Sequence, residues 1–582
     1  MKKIVGLFLL IGLFLLGCND NTSKKGAINN HKKGELIPIK GNKYYGGVFR
    51  INESEYFRSL YPLNITEVGG HRIINQIYEG LICLDQATLA IKPCLASSYE
   101  IKDSARTYIF HLRKGVFFQD DPCFPKGKGR LVKAADFKYC LDKLCEADVN
   151  NQGYWIFQNL VVGADGYYQS TQKRKPLAGG VSGVVVLNDS TIQIKLLKPF
   201  ASFLAKMATP FAAVFPKEAV DMYGMKMREH CVGTGPFRIK AIEQDESVFL
   251  ERNPSYWGID SFGNQLPYLD AIKFSFIKDD KVEMLSFVDK KLEMKYRIPL
   301  DMFDEVINPE GSLTKKYSSF QKQETIEMST QFYGFLHVDP IFKDINVRKA
   351  FCYAVDREKL CKYTIHGQGV AAIHGLVPPC FPGFDWASIK GYTYDPKLAR
   401  EYFAKAGFPN GKGFPTITLQ LNSGGGRNIS VAEAVKKMLE ETLNITVNLN
   451  QVVWAQHSEN IETGKCQFWR LGWVADYPDP ENYLNLMNGV NVPKSIKEKA
   501  YINSFRYVNP AYDMLYQKAN QTIDIAERNS LYQQADQMGM DDAVMMCLFH
   551  DKQFRLIQPY VHNFPQNAME YRVLRETWLS PH

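Results

Sequence analysis

From Phe468 to Val474 the chain is aromatic, branched and apolar, and shortly afterwards it meets Pro478, Asp479 and Pro480. The first run predicts a strand. Proline has no N–H to give a ladder, so the strand must stop before Pro478. An acceptor side chain followed by proline predicts a helix start, with Asp479 as N-cap, Pro480 in the first helical position and a short helix over 481–487. Asp476 therefore falls where a strand has ended and a helix has not begun, which is where open α/β folds gather ligand groups. By residue type alone, Asp476 also fits a turn in which it bonds its own backbone.

Strand and helix signals alternate upstream of this point. Residues 344–365 predict helix, break, helix, with Val347, Phe351, Ala354 and Val355 on one face and Asp356 capping the second helix. Asp395 and Pro396 open another helix, which Gly407 and Pro409 close. A strand over 416–421, a helix over 430–443 and a strand ending near Trp454 follow, which together describe an α/β lobe. Nearer the N-terminus, residues 69–81 predict a helix, 93–101 and 108–118 two strands, and 191–196 a half-buried strand. After Asp476, residues 520–541 predict one helix and 543–549 a dense apolar strand. His550 at the end of that strand reads as packing.

Met1 to Cys18 predicts a targeting segment. Lys2 and Lys3 precede an apolar run too short to span a bilayer; Leu15-Leu16-Gly17-Cys18 at its end resembles a bacterial lipobox, which implies cleavage before Cys18 and a lipid on it. Residues 18–43 are polar and rich in Lys, Asn and Gly, and predict a flexible tether. The expectation is an exported, lipid-anchored protein with a soluble body.

The net charge of +8 is spread without a dense Lys/Arg block, which excludes nucleic acid as a partner class. Eleven cysteines remain after Cys18, none spaced C-x-x-C, and they read mostly as buried thiols. The histidines stand singly, so neither a metal nor any other cofactor is expected. There is no H-E-x-x-H and no G-x-S-x-G, and the glycines of 407–413 have the wrong spacing for a phosphate loop. An enzyme is not expected. A secreted hydrolase and a surface adhesin are the alternatives from other classes.

The run Gly472-Trp473-Val474-Ala475-Asp476-Tyr477-Pro478-Asp479-Pro480 resembles a motif of the family 5 solute-binding proteins, the ligand-binding subunits of ABC importers. Other blocks resemble the same family in the same order: 110–116 (Phe-His-Leu-Arg-Lys-Gly-Val), 233–237 (Gly-Thr-Gly-Pro-Phe), 347–357 and 375–379. The resemblance implies an α/β, two-lobed type II periplasmic binding protein with an additional inserted domain, cluster C-like. One lobe would comprise 44–85, 198–292 and 505–582, the inserted small domain 86–197, and the other lobe 293–504, after a signal peptide over 1–17. It implies a monomer that closes on an oligopeptide and passes it to a membrane permease driven by an ATPase. Haem, glutathione or a nickel complex are the other ligands that the family admits.

The resemblance also implies that Asp476 holds the peptide's α-amino group, with Arg470, Trp473 and Trp454 as further pocket positions. Glu67, before the 69–81 helix, could face a ligand or be a solvated loop charge. Strict alternation sets Arg470 and Trp473 on opposite faces of their strand, so a single pocket requires the chain to twist near Gly472.

Overall fold

The computed structural model describes residues 35–65, 67–423, 426–496 and 498–582. The targeting segment and most of the tether, with Cys18, lie outside the described residues. The largest sheet has seven strands in the order Met294–Lys295, Met545–Ile557, Gln321–Phe335, Phe468–Val474, Ile417–Asn422, Val447–Val452, with Gly369–Ala371 added to Met545–Ile557. Its first half is antiparallel, and Phe468–Val474, Ile417–Asn422 and Val447–Val452 run parallel.

The connections across the parallel half fix where a crevice opens. Ile417–Asn422 leads through helix Gly426–Leu443 to Val447–Val452 on one side. Helix Trp454–Glu462 then carries the chain back to Phe468–Val474 on the other side. Strand order reverses at Ile417–Asn422, and the two helices bury their apolar residues in different cores, Val435 and Leu439 in one and Ile461 in the other. Phe468–Val474 pairs with Ile417–Asn422 only at Leu419↔Phe468 and Gln420↔Trp469. Beyond those positions the carboxyl ends of the two strands part, as at the switch point of an open α/β sheet.

A four-stranded sheet of Phe237–Glu243, Ser247–Arg252, Ala271–Ser275 and Val48–Asn52 forms a second centre. An antiparallel sheet of Ala96–Lys102, Thr107–Leu112, Thr191–Lys195 and Val184–Asn188 forms a third, and one continuous core joins these two. Segments 293–297 and 555–558 lie between the first and second centres. Met294 pairs with Ile557 in the large sheet, while Glu293 is ion-paired with Arg50 of the four-stranded one.

Three elements differ from the sequence expectation. The helix expected over 69–81 spans only Val68–Ile74. Beyond it, the carbonyls of Gln76 and Ile77 accept from Phe237 and Gly235, so the chain serves the neighbouring sheet instead of its own helix. A Cβ on Gly235 would lie 2.7 Å from the Ile77 carbonyl oxygen, which only glycine permits. The helix expected over 520–541 is two, Pro510–Gln521 and Ile525–Asp541, the second capped by Asp524 accepting from the Glu527 N–H. The strand expected to end at Phe549 runs to Ile557. Segment 505–582, expected whole in one lobe, thus gives thirteen residues to the large sheet.

Candidate functional site

Strand Phe468–Val474 ends as expected, and the turn behind it is tied back onto the strand. The helix Glu481–Leu484 starts one residue later than expected, with Pro480 and not Asp479 at the N-cap, and the Asp479 carboxylate accepts from the Glu481 N–H at 3.0 Å from one position further back. That helix returns Asn482 to the strand end. Asn482 Oδ1 accepts from Trp473 Nε1 at 2.7 Å and from the Asp476 N–H at 3.2 Å, and Asn482 Nδ2 donates to Asp476 Oδ2 at 3.3 Å. One amide thus sets the indole and the carboxylate together. Among the described residues the Asp476 carboxylate takes no backbone N–H of its own turn.

Asp476, Trp473, Asn482 and Tyr501 line a small cavity of about 30 Å³, closed from the far side by His71, Trp155 and Phe211. That volume suits one water or one ammonium group. Burial pushes the Asp476 carboxyl up to about 6, against the Asn482 hydrogen bond and the cation of Lys206. Lys206 is buried on helix Phe203–Met207, and its Nζ stands 4.7 Å from the Phe200 ring centroid, 5.2 Å from Trp155 and 5.9 Å from Tyr477. The cation is held by aromatic faces and makes no ion pair within 4 Å among the described residues. Glu481, fully buried, is held by the hydroxyls of Tyr477 and Tyr516.

A second cavity of about 400 Å³ lies at the parted strands. Asn422, Arg470 and Lys295 line it from the large sheet, Arg427 from helix Gly426–Leu443, and Glu53 and Arg72 from the region of the four-stranded sheet. Most of its charges are paired: Arg72 with Glu53 at 2.8 Å, Lys295 with Glu283 at 2.6 Å, Arg297 with Glu327 at 2.8 Å and Arg427 with Asp551 at 2.8 Å. Of its charges that are not solvent-exposed, Arg470 is the exception. It donates to the neutral Asn422 Oδ1 at 3.1 Å and to Gln331 Oε1, and no carboxylate among the described residues lies within ion-pair distance. Burial, with Arg427 and Arg297 adding to it, lowers Arg470 to about 10.

The expected single pocket is divided. Register with Gln321–Phe335 continues unbroken from Phe468 to Val474, with Gln331 opposite Gly472 and Thr330 opposite Trp473. The ladder is not interrupted at Gly472, and Arg470 lines the larger cavity while Trp473 and Asp476 line the smaller. Lys206, and not Arg470, is the cation felt by Asp476. Trp454 starts helix Trp454–Glu462, is 43% exposed and lines neither cavity. Glu67 precedes helix Val68–Ile74 in an ion pair with Arg58 and also lines neither cavity, although His71 of that helix closes the smaller one. Asn482 was legible only as a residue of the short helix expected over 481–487. Trp155 and Lys206 come from distant segments that carry no local signal.

This geometry defines an α/β binding protein with ionisable groups at a switch-point crevice, and the comparisons place it in a family. Residues 90–493 match the bacterial extracellular solute-binding proteins, family 5 (Middle), and the chain belongs to that family. Family 5 members are extracytoplasmic binding proteins. The chain is 25% identical over 591 residues to the dipeptide-binding protein DppE of Bacillus subtilis, covering 98% of each. It is 26% identical over 510 residues to heme-binding protein A of Haemophilus influenzae, covering 85% of each. Helicobacter pylori DppA, solved with the peptide STSA, superimposes with a TM-score of 0.78 at 22% identity, covering 92% of this chain and 98% of that one. The fold is accordingly the two-lobed α/β fold of the periplasmic binding proteins.

Proposed function

We propose that the protein captures oligopeptides outside the cytoplasm for an ABC importer, with Asp476 receiving the peptide's α-ammonium group. The observation that carries this reading is Asp476 itself. It is an ionisable carboxylate held by Asn482 in a cavity of ammonium size, with no cation in direct contact. An ammonium entering that cavity gains a charge-assisted hydrogen bond in a water-poor site, where such pairs are strong. Trp473 and Trp155 offer apolar walls that tolerate varied side chains. Arg470, free of a carboxylate partner in the larger cavity, would take the peptide's carboxylate.

Asp476 and Arg470 are six positions apart, roughly 20 Å of fully extended backbone, so the two anchors suit a short peptide. Lobes that both line the larger cavity would close on it about 293–297 and 555–558. Attachment through a lipid at Cys18 and delivery to a permease with its ATPase complete the proposal. It has no catalytic step.

Calorimetry with a free peptide and its N-acetylated form tests the anchor. Acetylation is expected to abolish most of the affinity, and equal affinity for the two forms overturns the amine anchor. Haem or glutathione is the second reading, because relatives named for those ligands are as similar as the peptide binders. Native mass spectrometry of co-purified ligand separates the readings. Loss of fatty-acid labelling in Cys18→Ser tests the lipid anchor.

A further inference from the structure

Two turns meet close to where the described residues begin. Ile37–Ile39 and Lys43–Tyr45 pair as an antiparallel hairpin that turns at Lys40, Gly41 and Asn42. Beside it, Ile259 bridges Gln265 across a second turn over 260–264. The Asp260 carboxylate holds that second turn. It accepts from the Phe262 and Asn264 N–H groups at 2.8 Å each and from the Tyr268 hydroxyl at 2.6 Å. Asn264 Nδ2 donates to the Lys40 carbonyl at 3.0 Å, and the Tyr45 hydroxyl to the Gln265 carbonyl at 2.6 Å, so the two turns form one unit.

Two large apolar side chains of this unit stay outside. Ile259 is 66% exposed and Phe262 is 49% exposed. The Phe262 ring lies against Gly41, where a Cβ would come within 2.7 Å of it. Lys40 is exposed next to them, and Lys43 Nζ stands 5.5 Å from the Phe262 ring centroid. Apolar tips beside lysines, on turns held by their own hydrogen bonds, suit the boundary between headgroups and acyl chains.

We infer that this unit is the face with which the protein rests on an anionic phospholipid bilayer, with Ile259 and Phe262 entering the interface and the lysines meeting phosphate headgroups. The inference rests on the lipid attachment proposed at Cys18. From Cys18 to Glu35 the chain covers seventeen positions, roughly 60 Å at full extension, so a lipid on Cys18 confines this end of the body near the bilayer. Residues 19–34 carry Lys24, Lys25, Lys32 and Lys33 against Asp20 as their one carboxylate, and an anionic surface attracts such a stretch. Two apolar side chains alone hold an interface weakly. Joining them to the bilayer through the same chain makes their contact intramolecular and raises its effective concentration. A neutral bilayer would leave the lysines without a partner, and a soluble anion would leave the apolar tips in water. An anionic bilayer satisfies both.

The test places the photo-reactive analogue p-benzoylphenylalanine at position 262 of the lipidated protein, bound to vesicles of phosphatidylcholine with or without phosphatidylglycerol. The control places it at Tyr363, a 64% exposed aromatic on segment Leu360–Thr364. Illumination should give a phospholipid adduct at 262 that increases several-fold with phosphatidylglycerol, and none at 363. No adduct at 262, equal adducts at the two positions, or a yield indifferent to phosphatidylglycerol overturns the inference. Wild-type protein gives a second reading that needs no variant to fold. Peptides covering 259–264 should exchange amide hydrogen more slowly on vesicles containing phosphatidylglycerol than on phosphatidylcholine alone, and equal exchange counts against the face. An unacylated N-terminal peptide by mass would defeat the lipid reading and this inference with it, whereas an acylated one without an adduct at 262 defeats this inference alone.

Discussion

The two cavities that strand Phe468–Val474 helps to line handle charge in opposite ways. The larger one holds its charges almost entirely in pairs, with Asp551 shared among Arg427, Ser329 and Gln331. The smaller one is lined by a carboxylate with one amide contact, while the cation that this carboxylate feels, Lys206, is outside the lining and against aromatic rings. Paired charges shape a cavity and hold its walls, whereas charges without an ionic partner are costly to bury and are satisfied when a ligand arrives. Among the cavity-lining groups that are not solvent-exposed, Asp476 and Arg470, one in each cavity, meet that criterion. Binding measurements can break or sharpen the contrast.

The largest effect should come from Asp476→Asn. Losing one partner of a buried charge pair typically costs roughly 2–5 kcal/mol, which is about 30- to several-thousand-fold in affinity. The variant should also lose most of its discrimination against N-acetylated peptide. If calorimetry shows affinity unchanged, the small cavity is structural. Next is Arg470→Gln. A hydrogen bond to a charged group contributes roughly 1.5–3 kcal/mol, so a peptide with a free carboxylate should bind roughly 10- to 150-fold less tightly. Its C-terminal amide should be little affected by the substitution, and an equal loss for both peptides would show that Arg470 supports the wall instead of meeting a carboxylate.

A smaller, pH-dependent effect follows from the position of Asp476 near 6, against an ordinary value of 3.8. Only the ionised form meets an ammonium, so wild-type affinity should fall about tenfold between its plateau above pH 7 and pH 5, while Asp476→Asn stays flat. The stability of the unliganded protein runs the other way. Between pH 3.8 and about 6 the folded state keeps a proton that the unfolded chain has released, so stability falls as pH rises through that window, and the cost is complete above it. Asp476→Asn should therefore raise stability at pH 7 by on the order of 1–3 kcal/mol, with the gain fading toward pH 4 in denaturant melts. A variant that is less stable at pH 7 would mean that the carboxylate is structurally paired.

What was legible in the sequence was local. The strand Phe468–Val474, its stop and the short helix behind it rest on prolines and a cap within one stretch, and the structure shows all three. The placement of Asp476 at a strand end followed from them. Distant partners were not legible. The strand expected to stop at His550 continues because buried polar residues find partners elsewhere: His550 with Thr330 at 2.9 Å, and Arg555 with Glu570 at 3.0 Å. A polarity pattern reads such residues as solvent-facing and ends the strand too early. Arg470 was separated from Asp476 by plain alternation, which the sequence states and the expected twist overrode.

The smallest effect tests a residue that the resemblance placed in the pocket and the structure does not. Trp454 sits at the first position of its helix with its ring 5.9 Å from His457, and nearly half its surface faces solvent. The neighbouring Val453 is 64% exposed, so no apolar wall continues from the indole toward either cavity. His457 does the anchoring of this helix instead, with its ring nitrogens bridging Gln420 at 3.0 Å and the Arg470 carbonyl at 2.8 Å. Trp454 lines neither cavity, so Trp454→Ala should change peptide affinity by no more than about 0.5 kcal/mol, about twofold. Trp473→Ala is the matched control, because its indole lines the cavity and donates to Asn482. Calorimetry on the two variants should separate them clearly. A loss for Trp454→Ala as large as that for Trp473→Ala would place Trp454 against the ligand, and would mean that the bound protein draws its helix closer to the crevice than this structure does.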